Sequence, residues 1–493
     1  MVSTIAELFT RGWLEVERWP GDAGRLDLPS DPEVLKAVRA YLKLDDEQVI
    51  VAKLARLAML NPQDDTERAQ LLLVLRAIDQ AFEPIHPRSL MAKPSVGASA
   101  IPSWLSRAEE QRNEHGTYWT IDGYSLIPRG PLARPPREDG CDGGRNVAER
   151  FNALAVVLGR YVRPTPAVNL SYRVIDTDPE KGVRLGHRVG RERIAHVPLG
   201  QAPSDVTLSL LKDGSVTKLV STVDDSVDIA TRFHLAGQGL GQVDVLMAPE
   251  FMVDSDVADS IASRLSSSRD VDARIIAAGT GLSSDARAGQ HWNEARLLNT
   301  VGHCLWRQRK IWPAIMRRDL AEKLGADVDE NQSFEEATAA DDCIVVADIA
   351  AFGRVVVLIC QDLKLPTAAA FIAELQPDWI FVPIFDRGVC AQRWTHIEAA
   401  GLAGKSEARF LVGSSMSLAR KLDPATTATC LMALGPRDPS SKDDKPRAYF
   451  LSPVMHTESG VEYAELTWRE GDWKQTSVVV KNGENAGDSS LVC

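Results

Sequence analysis

Apolar residues recur along this chain at two different spacings, and the change from one to the other falls near residue 190. Before residue 85 the pattern is helical. DPEVLKAVRAYL begins behind Ser30 or Asp31, either of which can cap a helix, and TERAQLLLVLRAIDQAF repeats its apolar positions every three to four residues. From Pro84 the grammar changes to PIHPRSLMAKPSVGASAIPSW and then LIPRGPLARPPREDGCDGG, proline- and glycine-punctuated stretches that predict loop or linker. NVAERFNALAVVLGRYV, residues 146–162, predicts one helix inside this region, stopped by RPTPAV. Beyond residue 190 come short apolar runs separated by charged, helix-like segments: VDVLMAP, ARIIAAGTGL, CIVVADI, RVVVLIC, DWIFVPIF and ARFLVGSSM. Strands apolar on both faces and alternating with helices predict a layered α/β architecture.

The expected organisation is a mainly helical amino-terminal region over 1–90, a connecting region over 91–189, an α/β domain over 190–475 and a polar tail over 476–493. With 493 residues, 44% hydrophobic and 25% charged, the chain is large enough for more than one core. A net charge of -12 disfavours a general nucleic-acid or anionic-membrane binder. Arg184, His187, Arg188, Arg191 and Arg193 form the one basic stretch of note, read as a solvated loop. MVSTIAELFTRGW lacks the basic-then-apolar layout of a secretory signal, and Asp348 and Arg354 interrupt the longest apolar stretch, so the expected location is cytoplasmic. Seven cysteines without a CxxC pair argue against a disulfide framework or a structural zinc site.

Three polar residues stand at the ends of predicted strands. Glu250 closes VDVLMAPE, Lys310 closes LWRQRK, and Cys360 closes RVVVLIC. Each has an ordinary explanation by itself: a solvated strand end, one member of a charged cluster with Arg307 and Arg309, and a buried thiol packing as a small hydrophobe. Jointly they supply a base, a cation and a nucleophile, delivered where open α/β sheets place their chemistry. A carboxylate can take the thiol proton, and an ammonium can stabilise the oxyanion that forms when sulfur attacks an amide carbon. The backbone N–H of Gln361, just after the cysteine, is a second candidate oxyanion donor.

These segments, in this order, resemble the catalytic blocks of the nitrilase superfamily of carbon-nitrogen hydrolases: VDVLMAPEF with the general-base glutamate, LWRQRKI with the lysine and GRVVVLICQDLKLP with the nucleophile. NEARLL, PDWIFVPIFD and EARFLVGSSMSL are similar to the intervening segments. The resemblance spans residues 190–470. It implies a four-layer αββα sandwich, no metal or organic cofactor, a thioester or thioimidate intermediate on Cys360, a small-molecule amide substrate and association into homo-oligomers. Gln361 and Asp362 stand where nitrilases proper usually carry Trp-Glu, which implies amide rather than nitrile cleavage. Many members have a second glutamate between lysine and cysteine; DENQSFEEATAADD offers Glu330, Glu335 and Glu336, with Glu336 preferred. The opening strand of the family is matched here by HVPLGQ or VTLSLL.

Other readings compete. AAGLAGKS, residues 399–406, nearly spells a phosphate-binding loop but lacks the first glycine and a preceding apolar strand. His303 beside Cys304 has no second ligand pair, and His396 has no orienting motif. A partner-binding scaffold recruiting through the helical amino terminus, or an amine acyltransferase using the same three residues, are the alternatives to hydrolysis.

Overall fold

The computed structural model describes residues 2–19, 31–87, 101–130, 150–213, 216–316, 333–406, 408–426, 428–436, 447–469 and 471–475. It is a mixed α/β molecule with several sheets. The amino-terminal helices are Ile5–Glu17, Pro32–Tyr41, Glu47–Ala58 and Asp65–Phe82, and each begins behind a side-chain cap: Thr4, Asp31, Asp46 and Asp64. Asp31 accepts from the N–H groups of Glu33 and Val34, which decides between the two cap candidates; Ser30 lies outside the described residues.

The helix expected over 146–162 is not formed. Residues 146–149 lie outside the described residues, and Leu154–Leu158 is a strand paired antiparallel with Tyr124–Pro128. LAVVL is a short apolar run whose periodicity cannot tell a helix from a buried strand. Tertiary contacts make the choice. The Asp79 carboxylate, on helix Asp65–Phe82, accepts from the N–H groups of Asn152, Ala153 and Leu154 and turns the chain into the strand.

Two eight-stranded sheets dominate the rest. In the first, the order is Cys304–Arg309, Gln290–Leu298, Ala273–Arg287, Val243–Met247, Arg193–His196, Glu462–Arg469 and Val454–Met455, with Asp472–Gln475 added on Glu462–Arg469. The second runs Ala448–Leu451, Leu431–Leu434, Arg409–Ser414, Trp379–Ile384, Gly353–Val357, Cys343–Ile349, Val168–Ile175 and Arg160–Tyr161. This sheet crosses the boundary expected at residue 190. Residues 169–175 of strand Val168–Ile175 pair parallel with Cys343–Ile349, so residues assigned to a connecting region form part of the sheet. The strand hides beside RPTPAV, yet Leu170, Tyr172 and Val174 do alternate.

Adjacent residues of the first sheet divide between two cores, as the two-residue strand period requires. Ile275 and Leu297 join a core shared with the second sheet and the amino-terminal helices, while Ile276 and Leu298 pack in a separate core with helices Ile229–Leu240 and Ser255–Ser268. A four-stranded sheet, in the order Ile315–Met316, Ser333–Glu336, Val216–Val223 and Val206–Asp213, is set beside the larger ones. Of the two segments matched to the opening strand, only the first residue of HVPLGQ is in the first sheet, ending Arg193–His196; VTLSLL belongs to the four-stranded sheet. Among the described residues no helix is long and apolar enough to cross a membrane.

Candidate active site

Three strands of the two large sheets end at one place. Val243–Met247 runs through Ala248 and Pro249 to Glu250, Cys304–Arg309 is followed at once by Lys310, and Gly353–Val357 leads through Leu358 and Ile359 to Cys360. Lys310 is fully buried, and its Nζ donates to Glu250 Oε1 at 2.7 Å and to Glu336 Oε2. The Cys360 thiol lies against the Glu250 carboxylate and within the field of Lys310. Glu250, Lys310, Cys360 and Glu336, far apart in sequence, therefore share one buried cluster.

Each carboxylate is held by more than the ammonium. Glu250 also accepts from Asn293 Nδ2 at 2.8 Å and from the Phe385 N–H at 2.8 Å. Glu336 accepts from Asn293 Nδ2, Thr338 Oγ1 and the Ala314 N–H, each at 2.9 Å. Glu335, one residue earlier on the strand, makes none of these contacts, and Glu330 lies outside the described residues. The alternation of a strand places only one of two adjacent glutamates on the site face.

Two carboxylates around one ammonium leave the cluster rich in negative charge, and burial amplifies the consequences. Burial opposes the Lys310 charge, but Glu250 and Glu336 outweigh it and hold its pKa well above the usual lysine value. Glu250 is raised, chiefly by burial and then by Glu336, with Lys310 pulling the other way. Burial and the Glu250 charge push the Cys360 thiol well above its usual value despite Lys310. The resting sulfur is a thiol beside a proton acceptor.

Cys360 adopts φ 51°, the left-handed region, at the entry to the 3-10 turn Cys360–Lys364. A non-glycine residue there carries backbone strain that its surroundings must hold. Asp362 supplies the hold. Its buried carboxylate accepts from the N–H groups of Ile359 at 3.1 Å, Ile311 at 3.1 Å and Trp312 at 2.8 Å, tying the cysteine turn to the residues just past Lys310. Burial pushes its pKa up to about 7 even though Lys310 and these donors oppose the rise. Gln361 follows in the same turn, its side-chain amide donating to the Ile315 carbonyl at 3.4 Å.

Solved structures similar to this chain include nitrilase superfamily members. Nit3 of Saccharomyces cerevisiae, a member of branch 10 of that superfamily, is 14% identical, with a TM-score of 0.37 over 57% of this chain and 90% of Nit3. An amidase of the nitrilase superfamily from Nesterenkonia AN1 is 14% identical, with a TM-score of 0.37 over 59% of this chain and 93% of the amidase. A variant of that amidase with the acetamide moiety of fluoroacetamide on its active-site cysteine is 16% identical, with a TM-score of 0.35 over 58% of this chain and 92% of its own. No family model matches the sequence, and no curated protein matches it.

Asn293 and Asp362 also tie the cluster together, although neither closes a strand expected from the sequence. Asn293 was visible as the one amide opening NEARLL, a polar residue on a strand otherwise buried on that face. It bridges both glutamates and accepts from Thr280. The other candidates find ordinary surroundings. AAGLAGKS ends helix Trp394–Ala403 and turns into a strand, the reverse of a strand-loop-helix cradle. The His303 N–H donates to Asn299 Oδ1, and His396 accepts from the Gln392 N–H with its ring against Phe450. Among the described residues no group of three or more His, Cys, Asp or Glu could hold a metal ion. The basic stretch is partly neutralised: Arg184 pairs with Asp272, His187 with Asp244 and Arg193 with Glu465.

Cys360 keeps 6% of its surface, so access is narrow. Two clefts among the described residues, each about 670 Å³, are lined by neither Cys360 nor its partners; one lies between helix Ser103–His115 and strand Val168–Ile175, the other beside the loop after Trp379–Ile384.

Proposed function

We propose that the protein is an amidase of the carbon-nitrogen hydrolase class, acting on non-peptide amides through a thioester on Cys360. The observation that carries this is the meeting of the Cys360 thiol, the Glu250 carboxylate and the Lys310 ammonium in one buried cluster. Glu250 takes the thiol proton as Sγ attacks the amide carbon. Lys310 and the Gln361 N–H face the oxygen as it turns negative. The C–N bond then breaks, and the leaving amine receives its proton from Glu250. Water, deprotonated by the same carboxylate, attacks the thioester; the C–S bond breaks, the acid leaves, and the sulfur takes its proton back from Glu250. Glu336 and Asn293 hold Glu250 and Lys310 in place, and Asp362 holds the strained turn. Every proton is handed between groups on this chain, so the scheme calls for no metal or organic cofactor.

In this reading the two large sheets face each other as the inner layers of an αββα sandwich, with Ile229–Leu240 and Ser255–Ser268 outside one and Ala368–Leu375 and Trp394–Ala403 outside the other. The catalytic unit then starts at the strand Arg160–Tyr161, not at residue 190. Mass spectrometry of the full chain incubated with a panel of amides is expected to find an acyl adduct on Cys360, whose mass names the acyl group. Cys360→Ala is expected to abolish both adduct and turnover with the fold intact. Full turnover in that variant would end the proposal, and the products distinguish water from an amine as the final acceptor.

A further inference from the structure

We propose that the cleft between helix Ser103–His115, the hairpin of Trp119–Ile121 and Tyr124–Pro128, and strand Val168–Ile175 binds the phosphoryl group of a small phosphate ester, at a site separate from Cys360. The cleft measures about 670 Å³, within the usual size of small-ligand sites, and no Asp or Glu lines it. Arg160 lines it, is exposed, and makes no side-chain hydrogen bond or ion pair among the described residues. His115 faces Glu114 at 3.7 Å, which leaves Arg160 as the uncompensated cation. Thr117 and Ser125 each keep 4% of their surface, yet their hydroxyls meet only Thr120 Oγ1, at 3.4 and 3.5 Å. Those separations exceed the ~2.7–2.8 Å of an ordinary O–H···O bond, so the hydrogen-bonding capacity of the row is largely unspent. An unpaired guanidinium beside under-used hydroxyls, in a chain of charge -12, suits a tetrahedral oxyanion. Leu170 and Tyr172, also in the lining, supply apolar surface for the organic part of the ester.

The pieces that form the cleft are fixed to one another. Thr120 stands opposite Ser125 in the hairpin, which puts both hydroxyls on one face. Gly116 ends the helix at φ 78°, and a Cβ there would lie 2.4 Å from Tyr172 Cβ, so only glycine lets the helix end close on the strand. The Gly159 N–H donates to the Gly123 carbonyl and the Leu170 N–H to the Gly159 carbonyl, each at 2.8 Å, joining the hairpin tip to the second sheet. A site preformed in this way loses little freedom on binding. Tyr172 is opposite Val346, and Val346 is opposite Val356, so the cleft stands two strands from the one that leads to Cys360, about 10 Å by ordinary strand spacing. None of Glu250, Lys310, Cys360 and Glu336 lines it. The ligand is therefore not the amide under attack, and the site is independent of the amidase reading.

Calorimetry on the full-length protein with inorganic phosphate, glucose 6-phosphate and glucose tests the site. Inorganic phosphate carries the recognised group alone, glucose 6-phosphate adds an organic part, and glucose lacks the charge. The wild-type protein is expected to bind at least one of the two phosphates and not glucose. Arg160→Met, a change at an exposed side chain, is expected to weaken that binding by about tenfold to a hundredfold, and Thr120→Val by about twofold to tenfold, with melting midpoints unchanged. Arg188→Met removes an equal charge from the separate basic stretch and controls for general attraction. Failure of both phosphates to bind at millimolar concentration overturns the proposal, as does glucose binding as tightly as its phosphate, or equal losses in Arg160→Met and Arg188→Met. The same titration of Cys360→Ala is expected to give the wild-type affinity. Loss of binding there would make the phosphate a ligand of the catalytic cluster and overturn the separate site.

Discussion

The buried cluster is held by residues whose charges cannot be changed singly without cost. Glu336→Gln removes one of the two carboxylates that compensate Lys310, and removing one partner from a buried ion pair costs about 3–5 kcal/mol. The expected result is a lower denaturation midpoint together with a kcat at least about tenfold down, because Lys310 and Asn293 lose the group that aims them. Asp362 gives a sharper signature. Its pKa is about 7 in the folded protein and near the ordinary aspartate value when unfolded, so this group's contribution to stability is fully present below about pH 4 and declines as pH rises through 7. Asp362→Asn cannot ionise and lacks that decline. Chemical denaturation at pH 4, 5.5 and 7 is expected to show the variant gaining on wild type as pH rises; a constant difference would contradict the buried, raised carboxylate.

Among elements, the hairpin of Val206–Asp213 and Val216–Val223 stands out as a support for the site. Ser333–Glu336 pairs parallel with it, Glu336 opposite Leu219, and Ile315–Met316 pairs on the other side. The strand that delivers Glu336 is thus held by backbone pairing to a hairpin far away in sequence. A proline at Leu219 breaks that pairing, since it removes a donor and fixes φ. The expected outcome is a kcat at least about tenfold lower with little change in far-ultraviolet circular dichroism, because only the four-stranded sheet is disturbed. Unchanged turnover would show that Glu336 is placed by Lys310 and Asn293 without the hairpin.

Over the whole molecule, the amino-terminal residues and the sheets behave as one packing unit. The shared core includes Phe9, Trp13 and Phe82 from the helices and Val346, Val356 and Phe381 from the second sheet. At the same junction buried Arg354 donates to Asp348, to the Leu375 carbonyl and to the Pro128 carbonyl, while Arg112 donates to Asp348. A chain starting at residue 160 would expose this apolar surface and remove Arg112 from Asp348 and the Pro128 carbonyl from Arg354. It is expected to lose cooperative unfolding and to aggregate, whereas a cleanly melting, active fragment would show an independent domain. What the sequence determined by itself was local. Apolar runs with a two-residue or continuous pattern marked the strands, cap residues marked helix starts, and strand ends singled out Glu250, Lys310 and Cys360, because these signals reside in neighbouring residues. The tertiary structure alone decided that LAVVL is a strand, that Val168–Ile175 completes a sheet, that Glu336 rather than Glu335 turns inward, and that Asn293 and Asp362 tie the cluster together. Those outcomes depend on partners tens to hundreds of residues away, and no local periodicity records a hydrogen bond to a distant strand.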